Sequence, residues 1–474
     1  MRVPELGARR RLLVLAICCL SLFMVSLDNT VVNLALPSIQ HEFDAATSSL
    51  QWTIDAYTVV LASLLMLSGS TADRIGRRRV FQSGLAVFTL GSLLCSLAPN
   101  VGLLVAFRMV QAIGGSMLNP VAMSIITNVF TEPRERARAI GVWGGVAGVS
   151  MALGPVVGGA LVSSVGWRSI FWVNVPIGVA GLLLTALFVA ESKAPSPRRI
   201  DPVGQVLMIV VLGALTYGII EAPHAAPGVA IGCFVVAALA LAAFVPYERR
   251  RPEPLIDPRF FTSVPFSGAI LVAVCGFAVL AGFLFLNAIY LQEARGFSPL
   301  HAGLLTLPTA VGAFAFSLVS GRIIGSRGAR PPLMAAGLAL IVAGLLLTRL
   351  TTDYPLSLLV VAYLVFGIGF GLVNPPITNT AVSGMPLDQA GVAAAVASTS
   401  RQVGASLGVA VLGTVVTSQL HGPLAAEFAQ ASHGAWWIMV GCGVVVLVLG
   451  FVTTTPWARR TTFEEAGKVG VRPG

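Results

Sequence analysis

Four charged residues stand where charge is costly: Asp28, Asp55, Arg108 and Arg401 each lie inside a long apolar stretch of the 474-residue chain. A charged side chain at the centre of a membrane-spanning helix costs roughly 2.5–3.5 kcal/mol on insertion scales, so such residues are kept for what they do. A membrane-embedded carboxylate can hold a proton or a cation in turn, and an arginine beside it biases when the proton leaves. The other reading of Asp28, Asp55 and Arg108 is a structural pair, with Asp55 in the headgroup region. Arg401 either binds an anion or carboxylate, or reaches along its stem to the headgroups.

The elements that must position these residues are transmembrane helices. Hydrophobic residues make up 56% of the chain and charged residues 11%, and the mean hydropathy is +0.86, which is no soluble composition. No acid or base occurs between Arg79 and Arg108, between Arg138 and Arg168, or between Arg259 and Glu293. Each gap holds one or more spans of roughly 20 residues, enough for a bilayer core of ~30 Å. The pattern predicts fourteen spans, near 12–36, 49–69, 80–98, 102–124, 138–162, 169–190, 202–220, 229–247, 266–291, 300–321, 332–349, 355–376, 392–418 and 434–453.

The net charge of +10 sits in short loops between spans, which orients a membrane protein and does not suggest nucleic-acid binding. Arg2, Arg9 to Arg11, Arg74 to Arg79, Arg134 to Arg138, Arg198, Arg199, Arg249 to Arg251, Arg322, Arg327 and Arg330 fall at the N-terminus or on even-numbered loops. Both termini are therefore expected in the cytoplasm, with 454–474 a cytoplasmic tail. The apolar stretch from Leu12 has no small-residue cleavage site and reads as a first span rather than a leader. At 1.5 Å per residue, Asp28 is expected ~12 Å, and Asp55 and Arg108 ~9 Å, below the outer ends of their helices. The three would share a polar cavity at one depth.

The chain repeats itself. RMVQAIGGSMLNP, ending at Pro120, answers YLVFGIGFGLVNP, ending at Pro375, at a shift of 255, and Gly408 and Gly413 stand opposite Gly154 and Gly159 at a shift of 254. Two six-span halves follow, 12–190 and 266–453, with an inserted pair of spans and their linkers in 191–265. Duplicated halves with a site between them are the architecture of an alternating-access carrier. The halves differ in chemistry, since Tyr363 answers Arg108 and Gly325 answers Asp73.

GSTADRIGRRR, 69–79, is expected to form a tight, positively charged loop. In it Asp73 can cap or pair with a neighbouring helix, while Arg74, Arg77 and Arg78 can meet helix C-termini or acids of the other half, with Gly69 and Gly76 giving the turn. The fifth span carries Gly154, Pro155, Gly158 and Gly159, small residues that allow close helix approach and a bend, as a gate requires. Phe277, Phe283, Phe285 and Tyr290 either line a cavity for a flat aromatic compound or pack. The six cysteines have no metal-ligand spacing, the five histidines do not cluster, and no phosphate loop or catalytic triad stands out. No cofactor, no metal and no enzymatic activity are expected; the sequence leaves the oligomeric state open.

These stretches resemble the major facilitator superfamily, and within it the fourteen-helix drug/proton antiporter family of bacterial multidrug and antibiotic exporters. Gly69 to Arg78 is similar to GxLADRxGRR with Thr71 in place of Leu; LDNTVVNLALP from Leu27 is similar to the first-helix signature; RMVQAIGGS is similar to RxxQGxG with Ala112 at one glycine. The stretch from Gly141 is similar to the fifth-helix antiporter signature with Ser150 at a glycine position, and NAIYLQEARGFSPLHAG and STSRQVGASLG are typical of the family. The resemblance implies an all-α polytopic protein of the bacterial plasma membrane with fourteen helices, driven by the proton gradient. It implies export of a small amphipathic organic compound, with Asp28 and Arg108 in coupling roles. The embedded acids favour a lipophilic cation as cargo, with a neutral antibiotic as the other choice. A carrier of a metabolite or organic anion without proton coupling, using Arg108 and Arg401 as ligands, is the alternative.

Overall fold

A computed structural model describes residues 8–193, 201–222, 226–382 and 390–462. Arg2, Arg198, Arg199, His224 and most of the tail lie outside the described residues. The chain is all helical: α1 (Ala8–Phe43), α2 (Thr47–Ile75), α3 (Arg77–Ser96), α4 (Val101–Val129), α5 (Pro133–Ser164), α6 (Ser169–Trp172), α7 (Asn174–Phe188), α8 (Pro202–Glu221), α9 (Pro227–Arg249), α10 (Val264–Ile289), α11 (Pro299–Arg327), α12 (Arg330–Leu347), α13 (Leu356–Val382), α14 (Ala390–Thr417), α15 (Leu424–Ala431), α16 (His433–Val452) and α17 (Pro456–Arg460). A π-helical turn, Tyr290–Ala294, ends α10. Among the described residues, twelve helices are long and apolar enough to cross a membrane.

Local signals set several ends. Asn100 caps α4 by accepting from the Leu103 amide at 2.9 Å, and Ser298 caps α11 with Pro299 in its first turn. The stretch predicted as an eleven-residue loop is instead almost wholly helix: α2 runs on to Ile75 and α3 begins at Arg77, leaving Gly76 as the link. Gly69, Asp73 and Arg74 are thus on the last turns of α2. Hydrophobicity marks where the bilayer ends, whereas a polar helix continues until a residue can break it. Gly76 does so at φ +131°, a conformation that favours glycine. For the same reason α1 extends through Pro37 to Phe43, which puts Asp28 near the middle of its helix, farther from the helix end than the sequence suggested.

The chain divides into two compact units, Met1–Gln205 and Val206–Gly474. Within the first, α2 and α3 pack on α4, α5 on α1, α7 on α3 and α1, and α1 on α4. Within the second, each pairing recurs: α11 and α12 on α13, α14 on α10, α16 on α12 and α10, and α10 on α13. Small residues permit these contacts. A Cβ on Gly114 of α4 would stand 2.3 Å from the Phe88 amide nitrogen of α3, so the two backbones touch there.

A buried ion pair in the first unit

Asp28 on α1 and Arg108 on α4 meet inside the first unit, Arg108 Nη1 lying 2.5 Å from Asp28 Oδ2 with both side chains almost fully enclosed. Removing two charges from water costs several kcal/mol per ion, and the mutual attraction offsets this only when the remaining donors and acceptors are met. Here they are met by neutral groups. Gln111 Nε2 and Asn174 Nδ2 each donate to Asp28 Oδ1 at 2.9 Å, while Gln111 Oε1 accepts from Arg108 Nη1 at 2.7 Å. Arg108 Nε donates to the Thr53 carbonyl at 3.2 Å, and its guanidinium lies over the Tyr57 ring, 4.1 Å from the centroid. Ser92 Oγ accepts from Asn174 at 3.0 Å and from Gln111 at 3.3 Å and donates to the Phe171 carbonyl at 3.0 Å.

The geometry follows from helix spacing. Arg108 and Gln111, three residues apart, share one face of α4. Asn174 is the first residue of α7, one after Val173, and Ser92 lies on α3, which α7 packs against. Asp55 is fully buried on α2, two residues from Thr53. Asp28 and Arg108 were legible from the sequence; Asn174, Ser92 and Tyr57 were not, and Gln111 stood in the motif as the residue three after Arg108. The only signal for Asn174 is an amide in the otherwise apolar run SIFWVNVP.

The predicted gate packs beside this cluster. On α5, Gly154, Pro155, Gly158 and Gly159 are buried. A Cβ on Gly154 would stand 2.0 Å from Thr30 Oγ1, and one on Gly158 would stand 2.9 Å from Val31 Cγ1, so α5 presses on α1 within one turn of Asp28.

At the junction of α2 and α3, Asp73 pairs with Arg77 at 2.9 Å. The Arg77 amide donates to the Ser192 carbonyl at 2.9 Å, Arg78 Nη2 to the Ala186 carbonyl at 2.7 Å, and the Arg78 amide to Glu191 Oε1 at 3.1 Å. Arg78 therefore meets a helix C-terminus, that of α7. Glu191, which the sequence did not single out, also fills the space a Cβ on Gly76 would need, 2.5 Å from its Oε1.

In the second unit, Arg401 on α14 donates through Nη2 to the Thr378 hydroxyl of α13 and lies 5.8 Å from the Phe277 ring centroid. Its Nε is buried with no hydrogen-bond partner among the described residues. Phe283, Phe285 and Tyr290 are fully buried. Phe283 stacks on Phe366 with centroids 4.0 Å apart and meets Tyr363 edge-on at 5.1 Å, so these rings pack against one another rather than lining an open pocket. Among the described residues no three His, Cys, Asp or Glu side chains group as a metal site.

Residues 18–409 match the Major Facilitator Superfamily. The chain is 37% identical to the multidrug resistance protein Stp of Mycobacterium tuberculosis, strain CDC 1551 / Oshkosh, covering 89% of this chain and 79% of that one. It is 36% identical to the methylenomycin A resistance protein of Streptomyces coelicolor, covering 90% and 88%. The crystal structure of the peptide transporter POT in complex with alafosfalin superposes with a TM-score of 0.69 at 13% identity over 95% of each chain, a likeness of fold alone. A duplicated set of packed helices, its signatures in order and relatives matched over most of their length place this chain in the major facilitator superfamily, as a multi-pass membrane transporter and not an enzyme.

Proposed function

We propose that this protein is a proton-coupled antiporter that exports an amphipathic organic compound, a drug or antibiotic, across the bacterial plasma membrane. The observation that carries the reading is the enclosed Asp28–Arg108 pair held by neutral amides. A proton on Asp28 turns an ion pair into a lone buried cation beside a neutral acid, and that imbalance favours a rearrangement of α1 and α4. One charge moving down 100 mV supplies ~2.3 kcal/mol. Relatives named for multidrug resistance and methylenomycin A resistance support drug export as the task. The two buried acids, Asp28 and Asp55, favour a lipophilic cation as cargo. No cofactor takes part.

In this reading α5 and α14 join the twelve spans to make fourteen, since they are 32 and 28 residues long. Both termini lie in the cytoplasm, where the Asp73–Arg77 pair and the Gly76 link form a cytoplasmic latch with Arg74 and Arg78. Gly154 to Gly159 form the gate seam against α1.

The test uses proteoliposomes with a trapped pH dye, wild type against Asp28→Asn, and a panel of lipophilic cations and neutral antibiotics. Substrate-evoked proton movement in wild type that disappears in the variant is the expected result. Substrate flux that ignores the substitution would sink the coupling role. A second reading, an organic-anion carrier without proton coupling, draws on Arg401 and its unmet Nε. Flux of an organic acid that is insensitive to an uncoupler and is lost in Arg401→Gln would select it.

A further inference from the structure

The Asn174 side chain is used on one side only. Its Nδ2 donates both to Asp28 Oδ1 at 2.9 Å and to Ser92 Oγ at 3.0 Å, yet its Oδ1 is buried with no hydrogen-bond partner among the described residues. A buried carbonyl left unmet costs about 1–3 kcal/mol, so one beside the central acid calls for an account. A carboxylate only accepts hydrogen bonds, whereas a protonated carboxyl also donates one. The other amide in contact with Asp28 is committed at both ends: Gln111 Oε1 accepts from Arg108 and its Nε2 donates to Asp28 and Ser92. Ser92 already spends its hydroxyl proton on the Phe171 carbonyl. When a proton arrives on Asp28 Oδ1, the group facing that oxygen with an acceptor to spare is Asn174.

We propose that Asn174 is a positioning residue that reads the protonation state of Asp28 by turning its amide over, donating through Nδ2 to the carboxylate and accepting through Oδ1 from the protonated acid. This rests on the proton-coupling role proposed above for Asp28. One proton from water is added to Asp28 Oδ1, Asn174 Nδ2 gives up its bonds to Asp28 and to Ser92, the protonated acid donates to Asn174 Oδ1, and the Arg108 guanidinium keeps its proton. Ser92 keeps the Gln111 donor. Asn174 lies on α7 and bonds to Asp28 of α1 and Ser92 of α3, so rotation of its side chain acts where the three helices meet. The ionisable groups facing Asp28 are Arg108 from α4, Tyr57 from α2 and Cys95 from α3, with Asp55 buried on the same helix as Tyr57. From α5 the residue pressed on α1 beside Asp28 is Gly154, against Thr30, and from α7 the neighbour is Asn174 itself, so neither helix brings a charge at these contacts.

Infrared difference spectroscopy of the reconstituted full-length protein between acidic and alkaline buffer tests this directly. In wild type carrying side-chain 13C-labelled asparagine, an amide carbonyl band should shift with the same pH midpoint as the acid carbonyl band of Asp28, and both should vanish in Asp28→Asn. In Asn174→Leu the acid carbonyl band should move to higher wavenumber, because the donated hydrogen bond is gone, and the pH midpoint of proton-coupled flux should move with it. An acid band unmoved by Asn174→Leu, or an asparagine amide band that does not respond to pH, overturns the proposal. Because the label reads the wild-type protein, failure of the variant to fold leaves the experiment decisive. Absence of any Asp28 acid band in wild type would instead overturn the proton-coupling reading on which this one stands.

Discussion

At the shift of 255 that relates α4 to α13, Tyr363 and Phe366 answer Arg108 and Gln111, and Phe283 of α10 meets them as Asp28 of α1 meets the first pair. Both trios are in contact. In the first unit they make an ion pair at 2.5 Å with a bridging amide; in the second they make a ring stack at 4.0 Å and an edge contact at 5.1 Å, with Trp436 completing the cluster at 6.4 Å. The Tyr363 hydroxyl is satisfied by Asn287 Oδ1. One scaffold position thus carries charge in one copy and aromatic packing in the other. Packed rings contribute about 0.5–1.5 kcal/mol per pair beyond the area they bury, whereas a buried ion pair is often no better for stability than apolar residues of the same volume. The duplicate shows that the fold can be held at this position without charge, which supports the coupling role proposed for the charge in the first unit.

The largest effect is expected from making the first unit resemble the second. Arg108→Leu alone leaves an unpaired buried carboxylate and should cost about 3–5 kcal/mol, read as a lowered unfolding temperature in detergent. The triple variant Asp28→Phe, Arg108→Tyr, Gln111→Phe should recover much of that stability while remaining dead in proton-coupled transport. A triple variant that transports would break the comparison. Next comes the seam. Gly154→Ala forces a methyl into Thr30, for an expected loss of about 1–3 kcal/mol. Adding Thr30→Ala should recover only part of it, because the Thr30 Cβ is itself 2.7 Å from the new atom. A neutral effect of the single substitution would mean that α1 and α5 are not pressed together in the membrane.

In the second unit, Tyr363→Phe removes the hydrogen bond to Asn287 and should cost about 1 kcal/mol in thermal stability. Its pH profile of transport should match wild type; a displaced profile would show that the aromatic cluster also senses protons. The smallest effect belongs to Asp73→Asn, a partly exposed pair whose loss should change stability by no more than about 1 kcal/mol, less at high salt. A larger, salt-independent loss would show that the junction holds more than one ion pair.

Much of this was readable beforehand for definite reasons. An acid and an arginine stand out of apolar helices, so Asp28 and Arg108 declare themselves. Three-residue spacing on α4 then carries Gln111 along in the motif. Ser92 and Asn174 are ordinary neutral side chains, and nothing in their neighbours tells a ligand of Asp28 from a residue bonded to its own helix. The aromatic run from Phe277 was ambiguous because a ring on a helix is equally suited to a cavity wall and to a core; the stack on Phe366 places Phe283 in the core. The α2–α3 link was misjudged in length because Asp73 to Arg79 differ from the span in solvation, not in helix-forming capacity.

The contact of Gly154 and Gly158 with Thr30 and Val31 bears on energy loss at rest. An exchanger that leaked would drain the gradient it depends on whenever cargo is absent. The fit of Gly154 on Thr30 and of Gly158 on Val31 leaves no room for water at those two contacts. On the antiport reading proposed above, two hydrogen atoms in place of two methyl groups would serve as insulation there.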